Sequence, residues 1–332
     1  MVNIVVCYDG TGNEYGENNT NVVGVFDAIE RDESQKAFYD PGVGTSSAFG
    51  ETISRKTKTI MGQAFGVGLI ENLEDGYSYL MENYQEGDKL FLFGFSQGAF
   101  TARTLAGIIA RFGILERGNK NLVPYVMKMY SERYYETKPD VVDGFARDFC
   151  TIPDIHCIGV WDTVASLGYY YGKEFPNNRL SPKVKNGFHA IAIDEKRKKF
   201  PVSLWDEKSL AAGQAIEQVW FPGVHSDVGG WYDERDLSDI AFAWMMDKAS
   251  SVGLRLRDKW NENLNQKADG TIHESRTNMW KAWRPVDREI PTKALVHQSV
   301  IDRVNGRDDY DVVLPEDHTV VQSQSYKPPK PG

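Results

Sequence analysis

Residues 89–103, KLFLFGFSQGAFTAR, decide how the chain is read. Leu90 to Phe93 is a short run that is apolar on both faces, as in a strand covered from above and below. Gly94, Ser96 and Gly98 then make a Gly-x-Ser-x-Gly turn, and AFTARTLAGIIARF continues in a helix-compatible pattern. A serine at such a strand-to-helix turn stands exposed at the sheet end. Its flanking glycines permit the tight backbone, and the helix N-terminus favours developing negative charge. The competing reading is a phosphate-binding or structural glycine turn. The strand before and the helix after make Ser96 the candidate nucleophile.

Outward from this point the first half of the chain alternates. Val2 to Tyr8 predicts a buried strand stopped by Asp9-Gly10, and Asn21 to Arg31 a helix behind an Asn21 cap. Lys36 to Tyr39 predicts a second strand. Ile70 to Tyr84 predicts an amphipathic helix with Ile70, Leu73, Tyr77, Leu80, Met81 and Tyr84 on one face. Lys89 to Gly94, His156 to Val160 and Gln218 to Phe221 predict further strands, with a helix over Gln97 to Phe112. Strands alternating with helices imply an α/β fold, a doubly wound, mostly parallel sheet whose ligands bind at the C-terminal strand ends. We read residues 1–314 as a single domain with insertions: a lid at 45–66 and helical additions at 116–149 and 233–305. Residues 315–332 read as a mobile C-terminal tail.

Composition sets limits on function. With 332 residues, 41% hydrophobic and 12% aromatic, the chain can bury a sizeable core, which argues against global disorder. A formal net charge of −9 disfavours nucleic acid as a partner. Cys7, Cys150 and Cys157 are an odd, unpatterned set that suits a reducing compartment and offers no metal spacing. The N-terminus runs straight into a strand without a basic leader, and no apolar run approaches a membrane span. The expectation is a soluble protein, cytoplasmic as synthesised.

A serine nucleophile needs a base, and the base needs a carboxylate that fixes its tautomer. In VWFPGVHSDVGGWY, 219–232, His225 follows an apolar strand in a glycine-rich turn; a carbonyl-capping turn histidine is the alternative. His297, in ALVHQSVIDRV, is its rival, although helical spacing around it favours a structural role. In HCIGVWDTVASLG, Asp162 stands just past a strand, where an acid points into the shared crevice and can also cap a helix. The order Ser96, Asp162, His225 is that of α/β-hydrolases. Asp227 is the competing acid, better suited to organising its loop or to weak metal ligation. For the oxyanion, one donor is the amide of Gln97, and the other comes from the loop YDGTGN, 8–13, as Gly10 or Thr11. A carboxylate at Asp9 would oppose an oxyanion, so Asp9 is expected to pair with Arg103 or to hold the loop by hydrogen bonds. No Walker lysine or GxGxxG pattern follows that loop.

The segments DGTGN, NNTNVV, FYDPGVGT, LFGFSQGAFTAR, GVWDTVASLG, AIDEKRKKF and PGVHSDVGGWY, in this order, together with a fainter VHQSVIDRV, carry a resemblance. They resemble the α/β-hydrolase family that includes type VI secretion phospholipase effectors of the first lipase class. The resemblance implies a triad on Ser96, Asp162 and His225. It also implies an acyl-enzyme route for cleaving a carboxylic ester, most readily of a phospholipid, with no cofactor and no metal. One departure is Gln97, where the family usually has arginine (GFSRGA): the amide survives the change and the positive charge does not. The implied partners are a lipid or other ester substrate and transient contact with a membrane surface, with export by a specialised system and an unspecified neutralising or delivery partner. Two other readings stand beside it. One is a hydrolase-fold binding protein with a vestigial site. The other is a metal-assisted phosphodiesterase using Asp9, Asp162, His225 and Asp227.

Overall fold

Runs such as NIVVCY and KLFLFGF have no polar face to give to solvent, so they are stable only as strands sandwiched between helices. A computed structural model describes residues 1–10, 12–13, 15–42, 58–164, 178–276, 281 and 283–328, with 58–67 by their backbone alone. The described strands are β1 (Asn3–Tyr8), β2 (Gln35–Asp40), β3 (Lys89–Phe95), β4 (Ile114–Leu115), β5 (Cys150–Thr151), β6 (Ile155–Trp161), β7 (Val184–Ala192), β8 (Ala215–Phe221), β9 (Leu295–His297) and β10 (Thr319–Val321). Eight of them form one sheet in the order β10-β9-β8-β7-β6-β3-β1-β2, each neighbouring pair parallel. β4 and β5 make a separate antiparallel pair. The fold is the expected α/β-hydrolase-like doubly wound sheet.

Alternate side chains of each strand feed two cores. Ile4, Val6 and Tyr8 of β1 and Leu90 and Leu92 of β3 face Leu73 and Tyr77 of α2 (Lys58–Asn83) and Leu105 and Ile109 of α3 (Gln97–Phe112). Val5, Cys7, Phe91 and Phe93 face Val22 and Val25 of α1 (Asn21–Ala28) and Ile240 and Trp244 of the helix Ser238–Ser251. Each fully buried side chain of this size contributes on the order of 1.5–3 kcal/mol. From β1 the chain passes to β2 on one side, then crosses back to β3 on the other, and the remaining strands continue outward. The C-terminal ends of β1 and β3 therefore flank the switch point where doubly wound sheets bind ligands.

Several expectations are corrected. α1 is capped by Thr20, whose Oγ1 accepts from the Val23 amide, while Asn21 lies inside the helix and donates Nδ2 to the carbonyls of Val228 (2.8 Å) and Ser238 (3.2 Å). Ile70 is 42% exposed because the buried stripe of α2 runs through Leu69, Leu73, Tyr77 and Leu80 instead. β7 lies mid-sheet although the sequence reading missed it: Lys185, Asn186, Gly187 and His189 interrupt its apolar run. The addition at 116–149 is helical, over Val123–Ser131, Tyr134–Thr137 and Pro139–Phe149. Among its described residues, the addition at 233–305 has helices at Ser238–Ser251 and Gln298–Gly306, with turns and irregular segments between them besides the short β9. The described part of the C-terminal tail, 315–328, is anchored to the fold: β10 covers the edge of β9, and Tyr326 is buried with its hydroxyl on Asp302 at 2.7 Å. Of the expected lid, 45–57 lie outside the described residues and 58–66 are the first turns of α2. No described helix is long and apolar enough to cross a membrane.

Candidate active site

Ser96 joins β3 to α3 at φ 57° and ψ −118°, a left-handed backbone that costs a non-glycine residue of order 1–3 kcal/mol. The neighbouring glycines are required by close approach. A Cβ on Gly98 would lie 2.1 Å from the Tyr8 carbonyl oxygen, and one on Gly94 would lie 2.4 Å from that of Gly98. The turn thus presses α3 onto the end of β1 and leaves Ser96 at the switch point.

Two further strand ends converge on it. His225 opens the short helix His225–Gly229 just past β8, and its Nε2 accepts from the Ser96 hydroxyl at 2.8 Å. Its Nδ1–H donates to Asp162 Oδ2 at 2.5 Å, which sets the tautomer. The imidazole is held between Phe95 (centroids 4.6 Å apart) and Phe200 (5.3 Å). Asp162 follows β6 with φ 40°, and its Oδ1 also accepts from the Ala192 amide at 3.0 Å. Arg288 completes the group by donating Nη1 to Oδ1 at 2.5 Å and Nη2 to Oδ2 at 2.9 Å. Burial alone would raise the Asp162 carboxyl. The Arg288 charge and the hydrogen bonds from His225 and Arg288 outweigh it and hold the group well below the usual carboxylate range. This arrangement can take a proton from a serine hydroxyl and stabilise the imidazolium that results.

The other residues named from the sequence divide. Asp9 does not meet Arg103: its oxygens accept from Thr20 Oγ1 (2.8 Å), the Tyr39 hydroxyl (2.9 Å) and Asn13 Nδ2 (3.4 Å), so it holds the loop. It also takes the Gly10 amide at 2.7 Å. Thr11 lies outside the described residues. Gln97 is the first residue of α3, next to Ser96 at the positive end of the helix. Arg103 donates to the Ser203 carbonyl at 2.5 Å and lies over the Trp205 ring. Asp227 organises its loop, accepting from the amides of Val224 (2.9 Å) and His273 (3.1 Å) and pairing with His273 Nδ1 at 2.6 Å. His297 is buried, stacked on Phe221 with its Nδ1 accepting from the Ser299 amide, far from a base's role at Ser96. The four residues of the metal reading occupy three separate hydrogen-bonded groups: Asp9 with Thr20, Asp227 with His273, and Asp162 with His225 under an arginine. Among the described residues no three His, Cys, Asp or Glu side chains converge as a metal set.

Sequence reasoning missed Arg288 and Glu195. Glu195, inside AIDEKRKKF, accepts the His225 amide at 3.3 Å and pairs with Arg197 at 2.9 Å; its place in that segment was the available signal. His189 Nε2 accepts the Thr163 amide at 3.1 Å, and burial with the nearby Arg103 charge pushes its pKa down to about 3, so it stays neutral beside Asp162. Arg288 sits in irregular chain, where no periodicity marks it. A cavity of about 860 Å³ runs along α3 past Phe100, Arg103 and Trp205, and Ser96, Asp162 and His225 are not among its lining residues.

Comparison with known proteins adds to this geometry. Residues 2–248 match the family model for the catalytic domain of Tle1-like phospholipase effectors of type VI secretion. The uncharacterised protein YEL023C of Saccharomyces cerevisiae is 31% identical over 218 residues, 60% of this chain and 32% of its own. A crystal structure of an uncharacterised protein from Pseudomonas aeruginosa aligns with 78% of this chain and 47% of its own at 18% identity and a TM-score of 0.44. The Tle1 effector bound to the VgrG spike of the type VI secretion system aligns with 70% of this chain and 51% of its own, at 18% identity and a TM-score of 0.38. The chain thus spans about a third of the yeast relative and about half of each solved structure.

Proposed function

The chain belongs to the Tle1-like phospholipase effectors of type VI secretion, in their catalytic domain, and on that premise we propose that it is a serine hydrolase cleaving an acyl ester of a glycerophospholipid. The observation that carries this reading is the continuous relay from Ser96 Oγ through His225 to Asp162. Ser96 Oγ attacks the ester carbonyl carbon while its proton passes to His225 Nε2. As the tetrahedral intermediate collapses, His225 returns the proton to the departing alcohol and an acyl-Ser96 ester remains. Water then attacks that ester, with His225 taking and returning a proton in the same way, and the fatty acid leaves. Asp162 stays ionised throughout and orients the imidazolium. The amide of Gln97 serves the oxyanion at the N-terminus of α3, and Gly10 or Thr11 is the loop donor.

The test is product analysis by mass spectrometry after incubation with vesicles of phosphatidylglycerol or phosphatidylethanolamine. The expected result is free fatty acid and lysophospholipid from wild type, and neither from Ser96→Ala. Diacylglycerol or phosphatidic acid in their place would contradict acyl-ester cleavage.

A further inference from the structure

Resting on the Ser96–His225 reading above, we propose that Arg288 is a positioning residue for the site: its guanidinium clasps both Asp162 oxygens and fixes the carboxylate in the orientation that receives the His225 Nδ1–H. Four hydrogen bonds define the clasp. Two go to Asp162, and two go to main-chain carbonyls, Ala192 at 2.7 Å through Nη1 and Phe200 at 3.0 Å through Nη2. Those carbonyls lie at the end of β7 and beside the Phe200 ring that packs on His225. The guanidinium therefore ties the acid, the adjoining strand end and the wall of the imidazole together. With the amide of Ala192 on Oδ1 and His225 on Oδ2, each carboxylate oxygen has two donors, and rotation of the group would break several bonds at once. The planar two-pronged contact is one that arginine makes and lysine cannot.

Stability alone is a weak reason for this pair. Burying an ion pair costs desolvation that offsets much of its attraction. Its effect on the relay is direct, because one Arg288 bond and the His225 bond end on the same Asp162 oxygen. A cation there also tempers the pull of Asp162 on the imidazolium. The other charged or titratable groups around His225 are Glu195 at its amide, Arg197 paired with Glu195, neutral His189 behind Thr163, and Asp227 two residues along its own helix. None of these touches the Asp162 carboxylate in the way Arg288 does.

The experiment compares wild type, Arg288→Gln and Arg288→Lys on a soluble p-nitrophenyl ester, with melting temperatures and Ser96→Ala as the control. In Arg288→Gln, kcat is expected to fall by about 10–100-fold with KM nearly unchanged. Arg288→Lys keeps the charge and loses the fork, so its kcat should remain reduced. If Arg288→Gln does not fold, the lysine variant decides alone: a wild-type kcat in it overturns the proposal. A glutamine variant that melts lower but keeps the wild-type kcat also overturns it, while leaving the Ser96 reading intact. Wild-type turnover that persists in Ser96→Ala would instead overturn the Ser96 reading itself, and this inference with it.

Discussion

At the residue scale, two buried carboxyls, Asp162 just past β6 and Asp9 just past β1, are driven in opposite directions by their surroundings. Asp162 faces an arginine and an imidazole and stays ionised, whereas Asp9 meets only neutral donors and is pushed up to about 6 by burial, the hydrogen bonds from Thr20, Gly10, Tyr39 and Asn13 offsetting only part of it. The consequences for stability have opposite signs. For Asp162 the folded-state value lies below the unfolded one, so its contribution is present above about pH 4 and is lost on acidification. For Asp9 the folded-state value lies above the ordinary 3.8, so stability is fullest below that value and is lost as pH rises through about 6. Asp9→Asn should therefore melt higher than wild type near pH 8, by the equivalent of about 2 kcal/mol, with little difference near pH 4. The hydroxyls of Thr20 and Tyr39 can turn to meet an amide. Thermal denaturation at the two pH values checks this, and a gain that is equal at both would refute it. Asp162→Asn removes the acceptor that sets the His225 tautomer and should lower kcat by on the order of 10³–10⁴-fold, measured by steady-state ester hydrolysis.

At the scale of elements, the strand-turn-helix unit around Ser96 is limited by backbone contact. Gly98→Ala places a methyl within 2.1 Å of the Tyr8 carbonyl, and neither partner is a side chain that can swing away. The variant should lose about 3 kcal/mol or more of stability, read as a fall in the denaturation midpoint, together with activity. This unit was legible in the sequence because an apolar run, two glycines and a helical pattern agree locally: α3 spans Gln97–Phe112, as expected. His225 and Asp162 were legible for the same reason, each being a polar residue just past an apolar run. β7 was not, because its polar positions find partners only in the fold: Asn186 donates to the His156 carbonyl and His189 accepts from Thr163. Arg288 was illegible for a similar reason. It reaches Asp162 across a separation of 126 residues from a stretch with no periodicity. The sequence also does not reveal that Asp9 turns back on the amide of its own neighbour, Gly10.

For the whole molecule, the sheet is a row of parallel strands whose outer pair, β9 and β10, contributes only three residues each. Truncating the chain after residue 314 would uncover the edge of β9 and the pocket of Tyr326. The shortened protein should melt lower and associate more readily than the full chain, as light scattering during heating would report. Unchanged melting and solubility would show that the edge strand is dispensable. Across the sheet the crossover between β1 and β3 puts a strained serine, an imidazole and a clasped carboxylate at one switch point, drawn from three separate strand ends. The most direct test of that assembly is covalent: react the protein with a fluorophosphonate and locate the adduct by intact mass and peptide mapping. The expected result is a single adduct on Ser96, abolished in Ser96→Ala and slowed by on the order of 10³-fold in His225→Ala. An adduct on another residue, or undiminished labelling of Ser96→Ala, would contradict it.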